Sequence, residues 1–326
     1  MNTLNIYQLK NKARLSLATA PNDPRRLTLL FVGVTAAASL LAILLELLTT
    51  YLMADAGGLD GLSKRATLST ISTFVTFAVT VSMPFWSYGY TYATMRLARQ
   101  EDTPASTLLQ GFGRIGAILG GLFFQGILFA LAITLCLNIA STVWMMSPAG
   151  MSILENAEDI LSTTDTAQIE AYAQMMMPAY ILTAVLAIVP CLFLFYRLRL
   201  MPYAIMDGQK AFRSLRESFK LMNRRVLAFV KLDLHFWWYY LLQALCAGLA
   251  WLDVGLAAIG MPLPGNEQVW ALVCYIGCCA GQLLLAWYFQ TEVAVIYATA
   301  YDELKAAGPQ KPKSPKQPKS LPWDYE

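Results

Sequence analysis

Residues 197–231, RLRLMPYAIMDGQKAFRSLRESFKLMNRRVLAFVK, lie between two long apolar runs, and the rest of the chain is arranged around them. The segment contains nine Lys or Arg residues. Its apolar residues recur every three or four positions: Phe212, Leu215, Phe219, Met222 and Val226. This spacing predicts a helix with one apolar face and one cationic face. Helices of this kind lie at membrane surfaces, so the segment indicates a membrane-associated protein.

The composition of the whole chain also indicates a membrane protein. Of the 326 residues, 57% are hydrophobic and only 14% are charged. The mean hydropathy is +0.48, and a soluble core of this size would need more polar surface around it. The net charge of +3 is small, which makes nucleic acid a poor candidate partner.

Six apolar runs are each long enough to cross the roughly 30 Å hydrocarbon layer of a bilayer. They occupy residues 27–53, 70–95, 115–145, 178–200, 226–252 and 269–300. The predicted fold is therefore all-α, a polytopic transmembrane bundle of six spans over residues 27–306, with the amphipathic helix between spans four and five. The first run is too long for a signal peptide and predicts a membrane anchor. Residues 1–26 form a polar N-terminal segment, and residues 307–326 form a Lys/Pro tail that is predicted to be disordered.

The positions of the cationic residues predict the orientation of the chain. Of the 24 Lys and Arg residues, all but Lys64 and Arg65 lie on one side of the predicted spans. The positive-inside rule assigns that side to the cytoplasm. We therefore expect a multi-pass protein of the bacterial cytoplasmic membrane, with both termini and the amphipathic helix on the cytoplasmic side. The acidic segment 146–177, which has no Lys or Arg, is expected to form a helical excursion on the opposite side.

Two carboxylates lie inside predicted spans, where an ionised group costs about 2.5 kcal/mol or more. Glu46 in the first span is either an ion or proton site, or a neutral or interface-reaching side chain. Glu292 in the sixth span is expected to pair with a basic residue such as Arg197 or Arg199. Either carboxylate is also a candidate coupling group if the protein is a transporter.

Asp233 and His235 lie at the start of the predicted fifth span. His235 is the only histidine of the chain, and we expect it to pack against Trp237 or Trp238 rather than bind a metal. Neutral polar side chains in the spans, such as Gln282, are expected to form hydrogen bonds between helices.

No cofactor and no enzymatic activity are predicted. All six cysteines fall within apolar runs and lack the spacing of a disulfide framework or a zinc site. A Walker loop, a G-x-S-x-G elbow and an H-E-x-x-H motif are all missing from the sequence.

The leading hypothesis is a non-enzymatic scaffold or accessory protein that engages anionic lipid or another membrane protein. The cationic residues predicted to make this contact are Lys210, Arg213, Arg216, Lys220, Arg224 and Arg225. Each would gain about 1 kcal/mol near an anionic membrane surface. A plainer interpretation is that this segment only anchors the topology. The alternative function is a transporter or permease component, in which Pro84 and Pro190 bend two spans around a cavity.

Six short motifs along the chain carry a resemblance to known proteins. They are residues 9–14 (LKNKAR), 96–99 (RLAR), 111–112 (GF), 203–206 (YAIM), 232–238 (LDLHFWW) and 301–304 (YDEL). In these motifs the chain resembles a family of bacterial integral membrane proteins catalogued as domain of unknown function 975. It is similar, more distantly, to the membrane domain found beside some glycerophosphodiester phosphodiesterases, whose catalytic domain has no counterpart in this sequence. The resemblance implies a polytopic architecture and no established activity.

Overall fold

The computed structural model describes residues 5–54, 59–148, 150–151, 166–258 and 267–308. These residues are predominantly helical and include no strand, which confirms the all-α fold class. The helices in chain order are α1 (Ile6–Ala18), α2 (Pro24–Ala54), α3 (Leu59–Ala98), α4 (Ile115–Met145), α5 (Thr166–Leu198), α6 (Met201–Met206), α7 (Ala211–Met222), α8 (Val226–His235), α9 (Trp237–Leu249), α10 (Leu252–Ala258), α11 (Glu267–Leu285) and α12 (Thr291–Ala307). A 3-10 helix (Ala105–Arg114) precedes α4, and a π-helix (Ala286–Gln290) joins α11 to α12.

Five helical runs in the described part of the chain are long and apolar enough to cross a membrane. They are Pro24–Leu45, Ala66–Ala98, Ala105–Met145, Met176–Met206 and Val269–Ala307. These runs coincide with predicted spans one to four and six. The chain is therefore an all-α protein with the helices of a polytopic membrane protein.

The predicted fifth span, residues 226–252, is not one continuous helix. It is divided into α8 and α9 at Phe236, and α10 begins only at Leu252. At the break, the Phe236 N–H donates to the Asp233 carbonyl at 2.9 Å, so the interruption leaves this donor satisfied, as an apolar environment requires. No single piece has the length of a span, and the six-span arrangement remains a prediction.

The chain divides into two compact units, residues 1–115 together with 220–326, and residues 116–219. In the first unit, the 3-10 helix packs closely against α3. A Cβ atom added at Gly111 would lie 1.9 Å from the Phe85 carbonyl oxygen, and one at Gly89 would lie 1.8 Å from the Leu108 carbonyl oxygen. Only glycine allows these backbones to approach so closely.

Helix α1 also belongs to the first unit and packs on α12 and α3. Leu9, Ala13 and Ser16 form its buried face, and the Ser16 hydroxyl donates to the Ala98 carbonyl at 3.2 Å. Residues 6–18 of the predicted polar N-terminal segment thus form a helix that is held by contacts with the protein itself.

In the second unit, α4 packs closely on the segment that follows α5. A Cβ atom added at Gly121 would lie 2.7 Å from Ile205, and one at Gly120 would lie 2.9 Å from the Ala211 Cβ. Small residues of this kind let membrane helices approach closely.

Candidate functional site

Helix α7 presents a basic face, which we define as Arg213, Arg216 and Lys220. These residues are spaced three and four positions apart in one helix, and all three side chains are exposed. Lys210, just before the helix in the chain, and Arg224, just after it, are also exposed. The one acidic residue of α7, Glu217, is partly buried and accepts a hydrogen bond from Gln209. The exposed charge of this helix is therefore cationic.

The buried face of α7 includes small polar residues as well as Leu221 and Met222. Ser214 and Ser218 are fully buried. The Ser218 hydroxyl donates to the Arg197 carbonyl at 2.6 Å, and the Arg197 Nη1 donates to the Phe219 carbonyl at 3.1 Å. These two bonds fix α7 to the end of α5.

The residues of the predicted apolar face differ in their exposure. Met222 is fully buried, whereas the Phe212 side chain is 65% exposed. Ser214 and Ser218 are also buried, because their small side chains allow α7 to come within hydrogen-bonding distance of the α5 backbone. The basic face is thus accompanied by an exposed aromatic ring, and Leu227 is also 76% exposed just after the helix.

Arg225 does not belong to the exposed cationic residues, contrary to the prediction. Its side chain is only 6% exposed, and its Nη2 donates to the Gly308 carbonyl at 3.1 Å, at the end of α12. Its Nε and Nη1 atoms are buried without a hydrogen-bonding partner among the described residues. Burial lowers the pKa of this guanidinium, because removal from water disfavours the charged form.

Glu292 is paired as expected with a basic residue, and its salt bridge is to Arg14 of α1 rather than to the suggested Arg197 or Arg199. The Arg14 Nε lies 2.8 Å from the Glu292 Oε1. Glu46 lies in α2, and its side chain is outside the described residues. The same holds for residues 152–165 of the predicted acidic excursion and for residues 309–326 of the predicted tail.

Two further ion pairs lie beside the Arg14–Glu292 pair. Lys12 pairs with Glu303, and Arg99 contacts Asp302 with both Nε and Nη2, at 3.0 and 2.7 Å. Together the three pairs connect α1 and the end of α3 to α12. The sequence predicted that Glu292 is paired but identified none of the basic partners, since the partners are more than 200 positions apart in each case.

Asp233 lies in a hydrogen-bonded group with two tyrosines. The Tyr297 hydroxyl donates to its carboxylate, the Tyr240 hydroxyl lies 3.4 Å from the same oxygen, and the two hydroxyls are 2.8 Å apart. His235 is exposed, and its ring makes an edge contact with Phe236 rather than with Trp237 or Trp238. Within the described ranges, no three His, Cys, Asp or Glu side chains converge in the manner of a metal site.

A pocket of about 240 Å³ lies between α2 and α11. It is lined by Phe31, Val32, Thr35, Ala36, Ser39, Tyr275, Cys278, Cys279, Gln282 and Gln290. Gln282 was expected to form a hydrogen bond between helices, but its amide has no hydrogen-bonding partner within the described part of the chain and faces the pocket. Polar residues on α11 recur at steps of three or four positions, at Tyr275, Cys278, Cys279 and Gln282. This periodicity is the signal from which the polar face of α11 was predictable.

Comparison with known proteins identified no relative of this chain. No family model, no curated protein and no solved structure matches the chain. The resemblance drawn from the sequence motifs therefore stays a prediction.

Proposed function

We propose that the protein is a non-enzymatic, six-span scaffold of the bacterial cytoplasmic membrane that binds anionic lipid through the basic face of α7. The observation that carries this proposal is the division of α7 into two faces. The serine face is buried and hydrogen-bonded, whereas Arg213, Arg216 and Lys220 are exposed.

The chemistry of this surface suits a phospholipid interface. Guanidinium and ammonium groups bind phosphate, and each gains about 1 kcal/mol near an anionic membrane surface. Phe212, on the same helix and largely exposed, is the kind of apolar side chain that enters the acyl boundary beside such charges. In the proposed orientation α7 lies on the cytoplasmic side, where anionic lipid would meet it.

Lipid selectivity of the reconstituted full-length protein tests the proposal. In phosphatidylcholine bilayers, the motionally restricted fraction of spin-labelled phosphatidylglycerol should exceed that of spin-labelled phosphatidylcholine. Replacing the three cations of the basic face with Gln should reduce this preference, by up to about 3 kcal/mol in total. Arg224 is left unchanged, because its backbone is in the left-handed region at φ 61° and a substitution there would alter the turn.

The matched control replaces three other cations, Lys10, Arg25 and Arg26, with Gln. We expect this variant to keep most of the preference, and high salt to weaken the preference of the unmodified protein. An equal loss in both variants, or no loss in the α7 variant, would contradict lipid binding by the basic face. Either outcome would favour the plainer role of a topological anchor.

A membrane protein partner, the other contact in the leading hypothesis, would use the same basic face of α7. The alternative function predicted from the sequence is a transporter. The transporter alternative has less support, because Glu292 is paired with Arg14 and no carboxylate is among the described residues that line the α2–α11 pocket. A membrane protein partner would appear as a stoichiometric species in native co-purification that the α7 variant loses.

A further inference from the structure

The α2–α11 pocket is an open pocket with both polar and apolar lining residues, between two helices that are candidate membrane spans. Along α2 its lining runs from Phe31 to Ser39, which is a rise of about 12 Å at 1.5 Å per residue. The pocket is therefore elongated along the helices and reaches well into the apolar part of α2. It is independent of the basic face of α7.

The two helices contribute one face each to this cavity. Thr35 and Ser39 are one turn apart on α2. On α11 the Tyr275 side chain lies beside Ser39 and Cys279, and Gln282 continues the same face. Hydroxyls, thiols and amides thus share the lining with the apolar side chains of Phe31, Val32 and Ala36.

The π-helix Ala286–Gln290 supplies a second, independent indication of a binding site. Gln290 is the last residue of this π-helix and lines the pocket. Single π-helical turns are rare and occur frequently at functional sites, because the extra residue per turn redirects a side chain. Here the π-helix ends at Gln290, an amide-bearing residue that lines the pocket together with Gln282.

Neither amide is satisfied by the protein in the described part of the chain. An unsatisfied amide in an apolar environment is unfavourable, so water or a polar ligand must provide the missing hydrogen bonds. A charged ligand is disfavoured, because the described lining contains no Lys, Arg, His, Asp or Glu to balance it. A hydrocarbon ligand would leave both amides unpaired.

We propose that this pocket binds an uncharged, hydroxyl-bearing ligand of the glycerol class. A hydroxyl is donor and acceptor at one atom, which matches walls of amides and hydroxyls that offer both. The cavity volume corresponds to roughly eight water-sized groups, enough for a glycerol moiety. That moiety comes either from a free polyol or from the headgroup of a neutral glycerolipid such as diacylglycerol.

Cysteine alkylation of the full-length protein in phosphatidylcholine vesicles tests the proposal. Cys278 and Cys279 line the pocket, whereas Cys274 lies one turn away on α11, is similarly exposed and does not line it. Modification of Cys274, Cys278 and Cys279 by N-ethylmaleimide is measured with and without ligand, with the sites assigned by mass spectrometry. Bound ligand should slow the alkylation of only the pocket cysteines, by about tenfold at a ligand concentration of roughly ten times its Kd.

Two probes distinguish the sources of the ligand. Protection by glycerol indicates a free polyol, and protection by dioleoylglycerol in the vesicles indicates a lipid headgroup; either result supports the glycerol class. Gln282→Leu should abolish the protection, whereas Gln125→Leu, which removes an amide in α4, should retain it. The proposal is overturned if neither probe protects, if dodecane protects equally well, if Gln282→Leu remains fully protected, or if Cys274 is protected as strongly as Cys278 and Cys279.

Discussion

Arg14 of α1 and Glu292 of α12 form an ion pair at 2.8 Å between residues that are 278 positions apart. The two side chains are 58% and 29% exposed, so the pair alone contributes only about 0.2–1 kcal/mol. Its importance is positional, because it is one of three ion pairs that hold the N-terminal helix and α3 on α12.

Reversing this charge should loosen α1 without unfolding the protein. In Arg14→Glu, two carboxylates face each other, and we expect faster amide hydrogen exchange across Leu9 to Ser16. The exchanged pair Arg14→Glu with Glu292→Arg should restore slow exchange. Lys10→Glu introduces the same charge change on α1 away from Glu292, and an equal acceleration there would show that the ion pair is not responsible.

The hydrogen bond from Tyr297 to Asp233 links α12 to α8 just before the break at Phe236. Tyr297 is 6% exposed, so its hydroxyl cannot be replaced easily by water. We expect Tyr297→Phe to lower the free energy of unfolding by about 1–3 kcal/mol, measured by unfolding in mixed detergent micelles. Tyr288→Phe, at a site that is 61% exposed, should have little effect. Similar losses in both variants would argue against the network.

The close approach at Gly111 predicts a sharp difference between two neighbouring glycines. In Gly111→Ala the new Cβ would meet backbone atoms of Phe85 and force α3 and the 3-10 helix apart. Overpacking of this kind costs about 1–3 kcal/mol or more. Gly113 lies in the same 3-10 helix with no atom within 4 Å of an added Cβ, so Gly113→Ala should leave the thermal midpoint unchanged. Equal midpoints for the two variants would contradict the packing.

Hydropathy was sufficient to predict the fold class and most of the spans. A membrane span requires about 20 consecutive apolar residues, and this requirement appears directly in the sequence. Helix α4, for example, was predicted at residues 115–145 and has those bounds. The break at Phe236 was not predictable in the same way, because the local sequence contains no Pro or Gly and the break is accompanied by contacts from Tyr240 and Tyr297.

The faces of α7 and the pocket show where the sequence pattern was insufficient. Amphipathic periodicity grouped Phe212 with Met222 on one apolar face, because it ranks residues by hydrophobicity and not by the space available, yet only Met222 is buried. Burial of Ser214 and Ser218 depends on how closely the helix approaches the α5 backbone, which only the tertiary structure defines. The pocket likewise depends on two distant helices, although its α11 face had a visible periodicity.

Burial of Arg225 yields a prediction that separates it from the basic face. Its guanidinium has one hydrogen bond and two unpartnered buried nitrogens, so the protein gains little from its charge. Arg225→Met keeps the unbranched shape, and water can reach the partly exposed Gly308 in place of the lost bond. We expect its free energy of unfolding to change by less than about 1.5 kcal/mol, whereas Arg225→Ala should lose more because it leaves a cavity.

The Arg225→Met variant should keep the lipid preference of the unmodified protein. Arg225 is buried, so Arg225→Met removes a charge without changing the exposed cations, whereas Arg216→Gln removes one that faces outward. Spin-label measurements should therefore show unchanged phosphatidylglycerol selectivity for Arg225→Met and reduced selectivity for Arg216→Gln. A larger loss of selectivity in Arg225→Met than in Arg216→Gln would mean that lipid reaches the buried guanidinium and that α7 is not the principal contact.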